Sequence, residues 1–199
     1  MKNIPQGRVN FKKGLDLFSY VGSWGMHQLR SGVAKVDFVD QGDFSGAIKL
    51  NLENNGFSTE RGEFFREDVF RFLDRLPKDD FYDVVVADPP AFTKSGKGKD
   101  KALAGYAKLY EKIFKIINKE AILAACSCTN YVTLEELDSI IQQAFRKNYN
   151  VERGNVARNN VRRLSKLQLL EIGIEGPDHP VASLGDRTHY LKYLAYFVL

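Results

Sequence analysis

The chain has 199 residues, of which 44% are hydrophobic and 27% charged, proportions that fit one soluble globular domain with a sizeable core. No run reaches the roughly 20 apolar residues of a membrane span, and the basic start MKNIPQGRVNFKKG lacks the apolar core of a secretory signal. Two cysteines and three histidines rule out a disulfide framework and offer no zinc-ligand spacing, so a cytoplasmic protein without a metal is expected. A net charge of +4 says little by itself, but its distribution is uneven.

Residues 1–14 read as a polar lead-in, and 15–199 as one domain without an internal boundary or repeat. Leu15 to Phe18 predicts a short buried strand, followed by a turn with Gly22 and Gly25 and a short helix from Met26 to Arg30. Strand, glycine turn and helix form the first unit of a nucleotide-binding α/β domain, because small residues let the backbone approach a ligand. A second strand, Lys35 to Val39, ends in Asp40, placed where an acid bonds a ribose. A helix around Ala47–Leu52 is closed by Asn54-Asn55-Gly56. The run from Phe64 to Asp68 predicts a third strand, and Val69–Leu76 a helix stopped by Pro77.

The β-branched run Val84-Val85-Val86 predicts a buried fourth strand that delivers Asp88 before Pro89 and Pro90 force the chain out of the sheet. Three acids, Asp40, Asp68 and Asp88, thus fall in phase at the carboxyl ends of strands that alternate with helices. A parallel sheet would set them along one edge, where open α/β sheets bind ligands. A lysine-rich loop at 93–101 leads into a helix with Leu103, Tyr106, Leu109, Tyr110 and Ile113 on its apolar face. Ala121–Ala125 is the expected fifth strand, ending in Cys126-Ser127-Cys128, and Thr133 with Glu136 has the form of a capping box. A basic segment at 146–166 follows. Leu167–Ile174 and Tyr190–Leu199 then read as an antiparallel pair.

Taken together the layout resembles the seven-stranded class I methyltransferase fold: Rossmann-like, mostly parallel, with helices on both faces and an antiparallel strand near the C-terminus. The stretch Leu15-Asp16-Leu17-Phe18-Ser19-Tyr20-Val21-Gly22 resembles the cofactor loop of the bacterial ribosomal large-subunit RNA cytosine-5 methyltransferase I family. In the same order come Val39-Asp40, Glu67-Asp68-Val69-Phe70, Asp88-Pro89-Pro90-Ala91-Phe92, Gly105-Tyr106, Ser127-Cys128, Asp178-His179-Pro180-Val181 and Tyr190-Leu191-Lys192. The family's N-terminal RNA-binding PUA domain has no counterpart in this sequence. Ser23 stands where a second glycine is usual, and Asn118-Lys119-Glu120 replaces a glycine turn before the fifth strand.

The resemblance implies S-adenosylmethionine as cofactor, held by Phe18, Ser19, Tyr20, Gly22, Asp40, Gln41, Asp68, Val69, Asp88 and Pro89. It also implies an RNA substrate, ribosomal RNA in particular, with the oligomeric state open between monomer and homodimer. Carbon 5 of cytosine is a poor nucleophile, and a thiolate adding to carbon 6 makes it enamine-like. Alignment on Ser127-Cys128 and Thr133 makes Cys128 that nucleophile, although strand alternation by itself does not choose between Cys126 and Cys128. Asp88 would accept a hydrogen bond from the base. Pro90, Phe92, Lys94, Lys97, Lys99, Arg162 and Arg163 are the expected RNA contacts, by stacking and by phosphate pairing. Three other readings compete: an amino-group or guanine methyltransferase that uses Asp-Pro-Pro without a cysteine, an inert nucleoside- or RNA-binding domain, and a nicotinamide-dependent dehydrogenase. A single Gly-x-x-Gly and a cysteine after the fifth strand argue against the last.

Overall fold

The computed structural model describes residues 10–77, 80–93, 95–154, 166–175 and 190–199, with the side chains of 149–154 excepted. Seven strands make one sheet in the order β3-β2-β1-β4-β5-β7-β6. In chain order they are β1 (Lys13–Leu17), β2 (Lys35–Asp40), β3 (Gly62–Arg66), β4 (Tyr82–Ala87), β5 (Ile117–Ser127), β6 (Leu167–Gly173) and β7 (Lys192–Val198). Among the described residues five α-helices connect them: α1 (Ser23–Arg30), α2 (Ser45–Asn54), α3 (Val69–Arg75), α4 (Lys99–Ile116) and α5 (Leu134–Gly154). Pairing is parallel from β3 through β5, whereas β7 runs antiparallel to both β5 and β6. The two closing strands do pair with each other as the sequence suggests, and β7 fills the slot between β5 and β6.

Both faces of the sheet are covered, which is why its strands read as near-continuous apolar runs. One face packs Leu15, Leu17, Val85 and Leu123 against α3, α4 and α5; the other packs Val36, Phe38 and Val84 against α1 and α2. Strand order reverses between β1 and β4. The carboxyl ends of these two strands, with β2 beyond one and β5 beyond the other, therefore form the edge at which a ligand site is expected.

Three local differences from the sequence expectations matter. Helix α1 begins at Ser23, not Met26, because Gly22, left-handed at φ 85°, already completes the turn as its N-cap. Strand β3 ends at Arg66, and Asp68 is the N-cap of α3, its carboxylate accepting from the Arg71 amide at 3.0 Å. Strand β5 extends back to Ile117 across a shift in register, Tyr82 facing Ile117 and Val84 facing Ile122. Glu120, inside this extra segment, sits at φ 60°, a left-handed conformation at the place where a glycine turn is usual. The capping box forms as expected, with Thr133 N donating to Glu136 at 2.9 Å and Glu136 N to the Thr133 hydroxyl at 3.2 Å.

Candidate functional site

The loop after β1 is the most contorted stretch of the sheet edge. Phe18 (φ 62°), Tyr20 (φ 47°) and Gly22 (φ 85°) all take left-handed conformations, and only the last escapes the steric penalty. The loop is held by tertiary bonds: Ser19 N to the Val39 carbonyl at 3.1 Å, Tyr20 N to Asp40 Oδ2 at 3.0 Å, and Asn51 Nδ2 to the Val21 carbonyl at 2.9 Å. Asp40 also accepts from Gly42 N at 2.9 Å, so both of its oxygens face backbone amides. Gln41 Nε2 donates to Asp68 Oδ2 at 2.7 Å, joining the residue after β2 to the N-cap of α3. Beside them a cavity of about 670 Å³ is lined by Gln41, Arg66, Glu67, Asp68 and Arg71.

Beneath the loop lies Asp16, a residue the sequence assigns only to a strand. It is fully buried, and the Gly25 amide donates to its Oδ2 at 2.8 Å. Burial pushes its carboxyl well up; the Gly25 amide opposes this, and the charges of Asp88 and Asp40 reinforce it. Asp16 Oδ1 and Ser19 Oγ, both buried, have no hydrogen-bond partner among the described residues. Unpaired polar atoms of this kind are costly unless something fills the space above them. A ligand with an ammonium and hydroxyl groups suits such atoms, and a cationic centre suits an edge with three acids. The donor set therefore fits S-adenosylmethionine.

On the other side of the switch point, Asp88 follows β4 and accepts from Trp24 Nε1 at 3.0 Å. Pro89 is buried and Pro90 exposed. Cys128 is half-buried one residue past β5, its thiol donating to the Pro89 carbonyl at 3.7 Å. Burial raises the Cys128 thiol, with Asp88 adding to the effect; hydrogen bonds from its own amide and that of Ala91, and the charge of Lys192, pull it back down. Lys192 is pushed down by burial and donates to the carbonyls of Thr129 (3.0 Å) and Tyr190 (2.8 Å). Cys126 is buried and its thiol is pushed well up by desolvation, the behaviour of a small core residue. The fold thus separates two cysteines that strand alternation had left equivalent.

The Asp88–Phe92 segment and the end of β5 are tied together. Tyr106 OH, buried in α4, lies 2.8 Å from Ser127 Oγ and 2.9 Å from Thr129 Oγ1, and Phe92 N donates to Thr129 Oγ1 at 3.3 Å. The Phe92 ring packs on Tyr106 at 4.7 Å and over Gly105, where a Cβ would come within 3.1 Å of it. That gives Gly105-Tyr106 a physical purpose: together they seat the half-buried Phe92 ring against the core. Lys97 is exposed in a short 3-10 turn (Gly96–Gly98), and Lys99, inside α4, is already paired with Glu136 at 2.7 Å. Lys94, Arg162, Arg163 and the Asp178–Val181 stretch lie outside the described residues. So does most of the basic segment 146–166. Among the described residues no cluster of acids, histidines and cysteines could hold a metal, and no helix is long and apolar enough to cross a membrane.

Among the solved structures of the same architecture are proteins assigned as methyltransferases. A Streptococcus mutans protein assigned as a SAM-dependent methyltransferase superposes with a TM-score of 0.73 at 22% identity, over 94% of this chain and 44% of that one. Another assigned methyltransferase, complexed with SAH, gives 0.72 at 21%, over 94% and 45%. At the level of sequence, the chain is similar to the ribosomal RNA large subunit methyltransferase I of Photobacterium profundum, 29% identical over 96% of this chain and 45% of the relative. The protein of the same name from Cronobacter sakazakii is 28% identical over 96% and 45%. The chain therefore spans less than half the length of these relatives. No protein-family model matches it.

Proposed function

We propose that this edge binds S-adenosylmethionine and methylates carbon 5 of cytosine in RNA, with ribosomal RNA as the substrate class. The observation that carries the reading is the meeting of Cys128 with the Asp88-Pro89 segment. A half-buried thiol lies 3.7 Å from the Pro89 carbonyl, on a sheet edge where the acids face amides and the Trp24 and Gln41 side chains. S-adenosylmethionine, when bound, supplies the methyl group. The left-handed loop and Asp16 hold its amino-acid end, Asp40 its ribose, and Asp68 with the start of α3 its adenine. Cys128, its thiol proton passed to water, adds through sulfur to carbon 6, and the electron pair of the carbon 5–carbon 6 double bond becomes available at carbon 5. After methylation the carbon-5 proton leaves to water and the thiolate departs, restoring the aromatic ring. Ala91 and Phe92 supply no second thiol for that last step. Asp88 accepts from the donor edge of the base, and the Ala91 amide and Lys192 stabilise sulfur as an anion. The name shared by the relatives is what favours RNA, and Lys97 with the basic segments suits phosphate contacts.

The test is mass spectrometry of nucleosides from ribosomal RNA incubated with the protein and labelled cofactor. Label in 5-methylcytosine, lost in Cys128→Ala, is the expected result. Label in a purine, or label retained in Cys128→Ala, sinks it. A raised thiol is the one observation that favours a second reading, methylation of an exocyclic amine at Asp88-Pro89-Pro90, which needs no thiolate.

A further inference from the structure

The sequence contains a single tryptophan, and the fold sets it against the carboxylate of Asp88. Trp24 is the second residue of α1, and its indole N–H donates to Asp88 Oδ2 at 3.0 Å. Its ring lies parallel to that of Tyr193, with centroids 6.0 Å apart and planes 9° apart. Tyr193 is opposite Cys126 in the register of β5 and β7, and opposite Gly173 in β6, where a Cβ would come within 3.1 Å of the Tyr193 ring. Trp24 is 36% exposed, a large apolar surface that the core does not use.

The position of this indole is set by the backbone around it. Gly22 turns the chain into α1 in a left-handed conformation, and the Gly25 amide is bonded to Asp16. A Cβ on Gly25 would stand 2.1 Å from the Phe38 ring, so the first turn of α1 presses directly on β2. Trp24, between these two glycines, cannot slide along the helix. An indole N–H can only donate, and a bond to a carboxylate is a charge-assisted one. Among the described residues it is the one side-chain hydrogen bond made to Asp88.

We propose that Trp24 is a positioning residue for Asp88 and, with Tyr193, an aromatic wall of the target-base site. The indole N–H occupies Oδ2 and so fixes which oxygen, Oδ1, is presented to the base. The stacked pair offers the flat apolar surface that an extruded base needs. The inference rests on the reading of Asp88 and Cys128 given above.

Trp24→Phe keeps the ring and removes the N–H. At saturating S-adenosylmethionine, kcat for RNA methylation is expected to fall about 10- to 100-fold. The KM for the cofactor and the calorimetric Kd for S-adenosylhomocysteine should stay within about twofold. Tyr193→Leu should raise KM for RNA and leave cofactor binding unchanged. Because all tryptophan emission comes from position 24, Asp88→Ala should shift the emission maximum of the ligand-free protein. The inference is overturned by a Trp24→Phe variant with unchanged kcat, by one that loses cofactor affinity instead, or by emission indifferent to Asp88→Ala. Unchanged kcat in Trp24→Phe beside a dead Cys128→Ala fails this inference alone. An unaltered protein that forms no 5-methylcytosine fails the underlying reading, and the role of Trp24 falls with it.

Discussion

The two ends of the same strands are built on opposite principles. At the amino end, charges meet charges. Lys13 lies 2.6 Å from Asp80 and 3.4 Å from Asp37 with its ammonium 4.4 Å from the Tyr82 ring centre, and Tyr82 OH donates to Asp37 at 2.7 Å. Asp83 takes the amides of Lys12 and Lys13 and the side chain of Asn118. A cavity of about 420 Å³ opens here, and Lys13, Asp37, Asp80 and Tyr82, which line it, are paired with one another. At the carboxyl end, Asp40, Asp68 and Asp88 have no ion pair among the described residues, and two buried oxygens lack partners. Saturated polar clusters lock a fold, whereas an anionic edge left without its cation is arranged for something that arrives. The cavity beside Gln41 and Asp68 at the carboxyl end, about 670 Å³, is also the larger of the two.

The sharpest break in that contrast is Cys128→Ala, expected to lower 5-methylcytosine formation by at least about 10³-fold with thermal stability unchanged. A variant that retains turnover would remove the nucleophile from the comparison. Asp40→Ala should come next: it strips the acceptor from the Tyr20 and Gly42 amides as well as from the ribose proposed to bind there. Calorimetry should show S-adenosylmethionine affinity reduced about 50- to 100-fold.

Asp37→Asn tests the other end, with an expected loss of about 2 kcal/mol of unfolding free energy in denaturant titrations and no change in cofactor affinity. Cofactor affinity falling in step with stability would mean the two edges are not independent. The amino end also carries a pH signature. The hydrogen bond and charge of Asp80, with those of Asp37, outweigh the burial penalty and raise Lys13 above its ordinary 10.5, and burial beside Asp37 raises Tyr82. Folded-state values raised above unfolded ones give stability that is complete below the ordinary range and lost as pH climbs through the raised one. The melting temperature should therefore drop above about pH 10, and the drop should shrink in Lys13→Met.

The smallest effect concerns sulfur. Burial and Asp88 raise the Cys128 thiol, so its alkylation by iodoacetamide should speed up with pH along a curve displaced above that of a free thiol. Lys192→Met should displace the curve further by about half a unit to one unit, and Lys192→Arg should restore it. A curve indifferent to both would leave Lys192 as a tie between the Thr129 and Tyr190 carbonyls only.

Much of the fold was legible because its signals are local. Val84-Val85-Val86 before two prolines can only be a buried strand that stops, and Asn54-Asn55-Gly56 can only end a helix. The site was legible in part for the same reason: Asp40 and Asp88 directly end or follow apolar strands, and a parallel sheet carries such residues to one edge. Other features were not readable. Asp68 in sequence looks like a strand end but caps α3. The packing of Phe92 on Tyr106 joins residues of two segments and has no local signal. Trp24, read as part of a turn, lies inside a helix and reaches a carboxylate 64 positions away in sequence.

The sequence by itself determined the alternation of strands and helices, the phase of the three acids and the presence of a cysteine after the fifth strand. These follow from hydrophobic periodicity and turn chemistry, which act over a few residues. Only the tertiary structure decided which cysteine is buried and which is half-exposed beside Pro89, which oxygens stay unpaired and which aromatic ring meets Asp88. Those depend on register between strands and on burial, quantities set by residues far apart in the chain that no local pattern records.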